Sequence, residues 1–526
     1  MSEKTKGAAS APQTQKLNYK RTFLIGLGFM ACMLLWSIYN SYVPVILKAK
    51  FTELFAAEGG IDAFHQRVPA LAWLSVPLIV NAIMTIDNIF GVIFQPFFGK
   101  KSDGTRSKFG KRMPYIIIGL PICAAFFCFI PVVAFSVKAI ALSIALMMAV
   151  VICFNFVMSV WRSPVVSLMP DFTPSNLQSD ANAVINIMGG IGQMIGFVVG
   201  TIASAVIGLF GFTTLSENLK AATNEFGEII NKETGELILD AAGNAQYVNY
   251  TPVFVVTAVI SILCLFVLIG FYKRNKKYDL TANLEEAEIA EGEEKKGKIK
   301  IKNLPITKEE KKSLITMLIA LFLINNATEA IVPNFTNFAK DTLKVPTIYS
   351  TLMMAVFAVS LAAFGIPAGM MGRKIGRKKT IIIGLSGIVA MFAVYLAVSQ
   401  FVPNKPDGSV STFTWVILWI ALIVGGACIG CVNINTLPLV LAIGGRDYVG
   451  TFTGYYYTAT FSAAVTGPIL CGLVIGLFNE DYNFMFLFCA VMFALGLAVI
   501  SRVKHGEVSK DEDTSWLDEA VQNADD

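Results

Sequence analysis

Histidine is nearly absent from this chain. The 526 residues contain two, His65 and His505, and both lie outside the long apolar runs. A histidine-based metal centre is therefore excluded. No Ser, His and Asp spacing supports a nucleophilic triad. No GxxxxGK[ST] loop is present to cradle the phosphates of ATP. Charge is also scarce, at 15% of residues against 55% hydrophobic, with a mean hydropathy of +0.62. A soluble domain carries about 25% charged residues. The net charge of +5 is too small to point to nucleic acid. The nine cysteines are scattered through apolar runs. Cys428 and Cys431 form a CxxC without the strand–helix setting of a redox motif, so packing cysteines are expected. Neither an enzyme nor a cofactor is expected. Residues 1–20 are polar and lack an apolar core and a small-residue cleavage site, so no removable signal peptide is expected.

The chain does have long apolar runs. Crossing roughly 30 Å of hydrocarbon takes about 20 residues of helix, and without water each such segment must satisfy its own backbone. Twelve spans are predicted, at about 21–47, 72–98, 114–135, 139–168, 181–207, 251–272, 313–338, 347–371, 380–401, 412–440, 450–477 and 482–502. The loop after span two holds six basic residues (100, 101, 106, 108, 111, 112) and one acid, Asp103. Basic residues also follow spans six and eight. The long loop 208–250 instead holds two basic and six acidic residues. Basic loops stay in the cytoplasm. That places both termini inside, in a multi-pass plasma-membrane protein embedded in lipid and expected to act as a monomer.

Residues 273–312 carry 12 basic and 9 acidic residues and read as a cytoplasmic linker. The expected organisation is a tail 1–20, a six-helix bundle 21–272, the linker, a second bundle 313–502 and an acidic tail 503–526. Loop 208–250 reads as a small exterior hairpin. The halves echo one another. Gly99, Asp103, Gly110, Lys111 and Arg112 after span two match Gly369, Arg373, Gly376, Arg377 and Lys378 after span eight. Span five carries Gly189, Gly192, Gly196 and Gly200, and span eleven Gly454, Gly467, Gly472 and Gly476. Small residues let helices approach closely, and paired halves are the layout of transporters that rock about a central site. The predicted fold is an all-α membrane protein of the major-facilitator type, two six-helix bundles with pseudo-two-fold symmetry.

One stretch carries a more specific resemblance. Gly91, Gln95, Pro96, Gly99, Ser102 and Asp103, then Ser107, Phe109, Gly110, Arg112, Pro114 and Tyr115, are similar to the loop signature of sucrose transporters and their relatives. These belong to the glycoside–pentoside–hexuronide:cation symporter group. Asn155 seven residues before Arg162, and Ala181-Asn182-Ala183 with the span-five glycines, also match. The resemblance implies proton-coupled symport of a glycoside, such as sucrose or maltose, by alternating access, with Arg162 recognising substrate. The sequence departs from it at Val151, where sucrose transporters carry an aspartate. It departs again at Gly91 and Gln95, where melibiose-type members carry paired cation-binding aspartates. A sodium-coupled or monosaccharide carrier, and a membrane sugar sensor that does not transport, stay open as alternatives.

Ionisable groups inside spans cost free energy and are functional candidates. Arg162 shares a helix face with Ser159 and Asn155; its donor fork suits a carboxylate or vicinal hydroxyls. The alternative is a structural pair with Asp171. Asp87 and Glu329 lie at comparable depths, about 20 Å and 25 Å from Lys100 and Lys312 at 1.5 Å per residue. Low-dielectric surroundings favour the protonated form of a carboxylate, so either acid could carry the coupling proton. Pro333, one turn after Glu329, is expected to break span seven. Trp36, Tyr39, Asn40, Gln95, Asn186, Gln193, Asn325, Asn326, Asn433 and Tyr455 complete the candidate sugar site. Amides in spans also serve as glue between helices. Finally Asp103, Arg106, Gly110, Lys111, Arg112 and Arg377 are expected to form a latch. Their partners would be carboxylates of the neighbouring bundle, and the pairing would hold an outward-open state.

Overall fold

The structure is a computed structural model. It describes residues 17–173, 178–224, 227–231, 234–239, 245–279, 307–403, 405, 410–444 and 449–505. Twelve helical segments among them are long and apolar enough to cross a membrane. The first bundle contains α1 (Tyr19–Ala57), α3 (Val76–Met84) with α4 (Ile86–Asp103), α5 (Met113–Ser136), α6 (Ile140–Phe172), α7 (Gln178–Leu209) and α9 (Thr251–Asn275). Short helices α2 (Ile61–Arg67) and α8 (Thr213–Asn218) lie in its loops. The second bundle contains α10 (Lys308–Asp341), α11 (Thr347–Ile375), α12 (Arg377–Phe401), α13 (Thr412–Gly444), α14 (Val449–Leu477) and α15 (Asn483–Ile500).

The pseudo-two-fold is visible in which helices touch. In the first bundle α1 packs on α7 and α9, α6 packs on α4 and α5, and α5 packs on α9. Six spans later the same pattern returns. There α10 packs on α14 and α15, α13 packs on α11 and α12, and α12 packs on α15. Glycine makes the innermost pair possible in each half. A Cβ at Gly192 in α7 would strike the backbone of Met30 in α1, and one at Gly467 in α14 would strike the backbone of Asn326 in α10. Each bundle has its own apolar core. Part of α7 crosses over: Phe197 packs into the core of the second bundle, with Val198 against it.

Local signals set the helix ends. Thr307 and Glu310 form a capping box at the start of α10. Span two is interrupted at Thr85, whose side chain turns back to donate to the carbonyl of Ala82 (2.8 Å). The break was expected in span seven, yet α10 runs unbroken through Pro333. In loop 208–250, α8 precedes isolated antiparallel bridges such as Glu228 with Tyr247 and Ile230 with Leu237. The loop is thus more elaborate than one hairpin. The tails 1–16 and 506–526, and linker residues 280–306, lie outside the described residues.

Polar contacts join the two bundles at the end away from the basic loops. Lys48 Nζ lies 2.5 Å from Asp341 Oδ2 and 3.9 Å from Glu480 Oε2. Asn81 and Asn334 exchange two amide hydrogen bonds (2.9 and 2.8 Å). The hydroxyls of Tyr250 and Thr347 are 3.0 Å apart. Toward the basic loops α4 and α14 part. A cleft of about 440 Å³ opens between them, lined by Ile89, Val92, Tyr457 and Phe461 among others.

Candidate functional site

The break in span two shapes the centre of the molecule. Because α4 restarts at Ile86, Asp87 falls in its first turn, where the positive end of the helix favours a carboxylate. The backbone N–H of Asn88 donates to Asp87 Oδ1 (2.6 Å). Asp87 lies within electrostatic reach of both Arg162, from its own bundle, and Glu329, from the other. Its side chain is almost fully covered, whereas Glu329 is exposed. Among the described residues neither Arg162 nor Glu329 has an opposite charge within 4 Å, and the ion pairs found lie elsewhere. Asp87 thus feels an arginine of its own bundle and an acid of the other without a direct ion pair to either.

An aromatic stack supports the arginine. The rings of Phe154 and Tyr39 are 5.1 Å apart and those of Tyr39 and Trp36 5.5 Å apart, both stacked. The Arg162 guanidinium carbon sits 5.7 Å from the Trp36 ring centroid, a cation–π distance. Asn155 Nδ2 donates to the Tyr39 hydroxyl and to the carbonyl of Val151, each at 3.0 Å. Tyr39 and Asn155 are fully buried, whereas Trp36 and Arg162 are half-exposed. The expected face therefore divides in two. Trp36 and Arg162 form a reachable surface, and Tyr39 and Asn155 hold it from behind. Such a surface suits a sugar, whose flat C–H face lies on an aromatic ring while its hydroxyls meet a donor fork.

The other amides divide in the same way. Asn186, Gln193 and Asn433 are exposed, and Asn40, Gln95, Asn325 and Tyr455 are half-exposed. Asn326 is buried; it donates to the carbonyl of Phe322 (2.7 Å) and accepts from the Thr466 hydroxyl (2.9 Å), tying α10 to α14. It is helix glue rather than a substrate contact.

The basic loop is stitched to its own bundle. Arg112 donates from Nε to Asp171 Oδ2 (3.0 Å) and from Nη1 to Ser102 Oγ (2.6 Å), all three residues being buried. Burial pushes the Asp171 carboxyl above its usual range, with the hydrogen bond and charge of Arg112 pulling the other way. Asp171 thus pairs with Arg112, so the structural alternative for Arg162 is not realised, and in this conformation Arg112 has a carboxylate inside its own bundle. Gly110 has a φ of +75°, and a side chain there would run into the Tyr272 hydroxyl. Lys276 Nζ donates to the carbonyl of Lys108 (3.0 Å). Arg106 is exposed and Lys111 and Arg377 half-exposed; the Asp103 side chain lies outside the described part.

The closed-end contacts escaped the sequence reading. Lys48 lies one residue past the expected end of span one, and Asp341 three past that of span seven, so both read as loop charges. Asn81 and Asn334 do carry a signal, being uncommon amides at matching places in the second and seventh spans.

A family model described as Major Facilitator Superfamily matches residues 24–338 and 317–517. Among solved structures, a bacterial homologue of the iron transporter ferroportin in an inward-facing state is 12% identical, with 93% of this chain and 99% of that one covered and a TM-score of 0.57. The nucleoside transporter NupG is 14% identical, covering 92% and 99%, with a TM-score of 0.56. A bacterial homologue of the human lysosomal transporter Spinster, inward-facing and occupied, is 11% identical, covering 93% and 97%, with a TM-score of 0.55. At these identities the likeness is one of fold. None of the curated proteins matches the sequence closely enough to serve as a relative.

Proposed function

The chain belongs to the major facilitator superfamily, and from that premise we propose that it is a proton-coupled symporter of a glycoside, a disaccharide such as sucrose or maltose, working by alternating access. The placement of Asp87 within electrostatic reach of Arg162 in its own bundle and Glu329 in the other carries the reading. Trp36 beside Arg162 supplies the sugar-binding surface. Glu329, reachable and without a direct counter-charge, takes up and releases the proton; Asp87 is its partner acid. Gly91 and Gln95, in place of the paired acids of melibiose-type carriers, favour a proton over sodium.

The basic-loop end is the cytoplasmic one by charge. The polar contacts around Lys48 and Asn81 then seal the outer side and the cleft between α4 and α14 opens inward, which supports reading this conformation as inward-facing. Arg106, Lys111 and Arg377 remain latch residues for the opposite state, with Arg112 and Gly110 fixing the loop that presents them. Each proton moving inward gains about 2.3 kcal/mol per 100 mV, close to a fifty-fold concentration ratio for sugar carried with it.

The test is uptake of labelled sucrose, maltose and monosaccharides into proteoliposomes under imposed proton or sodium gradients. Disaccharide accumulation that follows the proton gradient is expected. Accumulation that follows only sodium, or sugar binding without any uptake, overturns the proposal.

A further inference from the structure

Away from the central cluster, α1 and α9 leave a groove of about 580 Å³ at the basic end of the first bundle. Lys20, Arg21 and Leu24 line it from α1, and Val267, Gly270 and Arg274 from α9. Among the described residues, three cations and no acid line this space. None of the three has a carboxylate within 4 Å among the described residues. The Arg21 guanidinium lies 3.9 Å from the Tyr278 ring centroid, which fixes its plane. Its Nε is buried and has no hydrogen-bond partner among the described residues. A buried guanidinium N–H without an acceptor is costly, and its strongest partners are anionic oxygens.

The apolar part of the groove is equally suggestive. A Cβ at Gly270 would meet no atom within 4 Å, so the floor is open. Immediately along the two helices Phe23, Phe266 and Val267 are 47%, 64% and 50% exposed. Both helices are membrane spans, so these side chains face acyl chains while the cations sit at the level of the headgroups. A soluble anion would use the cations and leave the apolar floor bare. Basic pockets between spans on the side of anionic lipid bind lipid headgroups.

We infer that this groove binds an anionic phospholipid, its phosphate on Arg21, Lys20 and Arg274 and one acyl chain along α1 and α9. The ligand would bridge the first and last helices of the bundle. The end of α9 also holds the basic loop, through Lys276 and Lys108.

The experiment is thermal unfolding of the purified full chain in detergent, titrated with phosphatidylglycerol, phosphatidylcholine or inorganic phosphate. Phosphatidylglycerol should raise the unfolding temperature, with the other two giving little shift. Lys20→Gln, Arg21→Gln and Arg274→Gln together should weaken the phosphatidylglycerol response at least fivefold. A control that removes three basic charges from the second bundle, Lys374→Gln, Lys379→Gln and Arg502→Gln, should retain it. Arg274→Gln alone, at an exposed helix end, gives a reading should the triple variant fold poorly, and should weaken the response at least twofold. An unchanged response in these variants overturns the inference. So does an equal loss in the control, which marks a diffuse basic surface, or an equal response to inorganic phosphate, which marks a simple anion site.

Discussion

Lys48 and Asp341 hold the two bundles together: one lies in α1, the other at the end of α10, and their charged atoms are 2.5 Å apart. Lys48 also sits 4.4 Å over the Tyr482 ring, so the charge is closed in on several sides. Removing one partner of a buried pair costs about 3–5 kcal/mol. That cost falls only on the state in which the pair is made. Lys48→Gln should therefore shift the population toward the state open at this end by well over tenfold. Labelling of a cysteine placed at Thr347, close to the closed contact, should speed up accordingly. Exchanging the two charges, Lys48→Asp with Asp341→Lys, should recover much of the closed population; no recovery would mean that the pair does not govern closure.

The Asn81–Asn334 exchange makes a sharper claim about coupling. Each amide donates to and accepts from the other, so either single alanine strands a buried polar group at about 1–3 kcal/mol. The double alanine should cost clearly less than the sum of the two singles. A double-mutant cycle on thermal unfolding measures this, and strict additivity would refute the coupling.

Glu329 and Asp87 should respond differently to neutralisation. Glu329→Gln is expected to abolish uphill uptake while leaving sugar exchange down a gradient nearly intact. Asp87→Asn removes an acid within electrostatic reach of Arg162, so it should weaken sugar binding as well as accumulation. Counterflow and gradient-driven uptake, measured side by side, separate the two. Uphill uptake unchanged in Glu329→Gln would show that another group carries the proton.

Arg112→Ala should act first on stability. It leaves Asp171 and Ser102 buried without their donor, at a cost of about 3–5 kcal/mol. A large drop in unfolding temperature is expected, and Asp171→Asn should be milder because an amide oxygen still accepts. Full stability in Arg112→Ala would contradict the buried geometry.

The fold was legible because the membrane imposes a simple rule on sequence. Apolar length gives the spans, and the glycines of spans five and eleven mark the close helix pairs. The central acids were legible for the same reason, since a charge inside an apolar run stands out. Partnership was not. Arg112 and Arg162 are both basic residues near an inner helix end, and nothing in their spacing says which one Asp171 chooses. Pro333 looked like the helix breaker, yet the interruption falls at Thr85, whose side-chain hydroxyl bonds back to its own turn. Lys48 and Asp341 lie about 290 residues apart, and only the docking of the two halves gives either of them a partner.

Phe197 has a consequence for how the protein is made. It belongs to the fifth span but completes the core of the second bundle, so until the later helices have been inserted it faces acyl chains and lacks its protein packing partners. During synthesis the early half must wait in the bilayer with an unfilled complement. Separately produced halves, cut within 280–306, should for that reason seek each other out and assemble into one carrier.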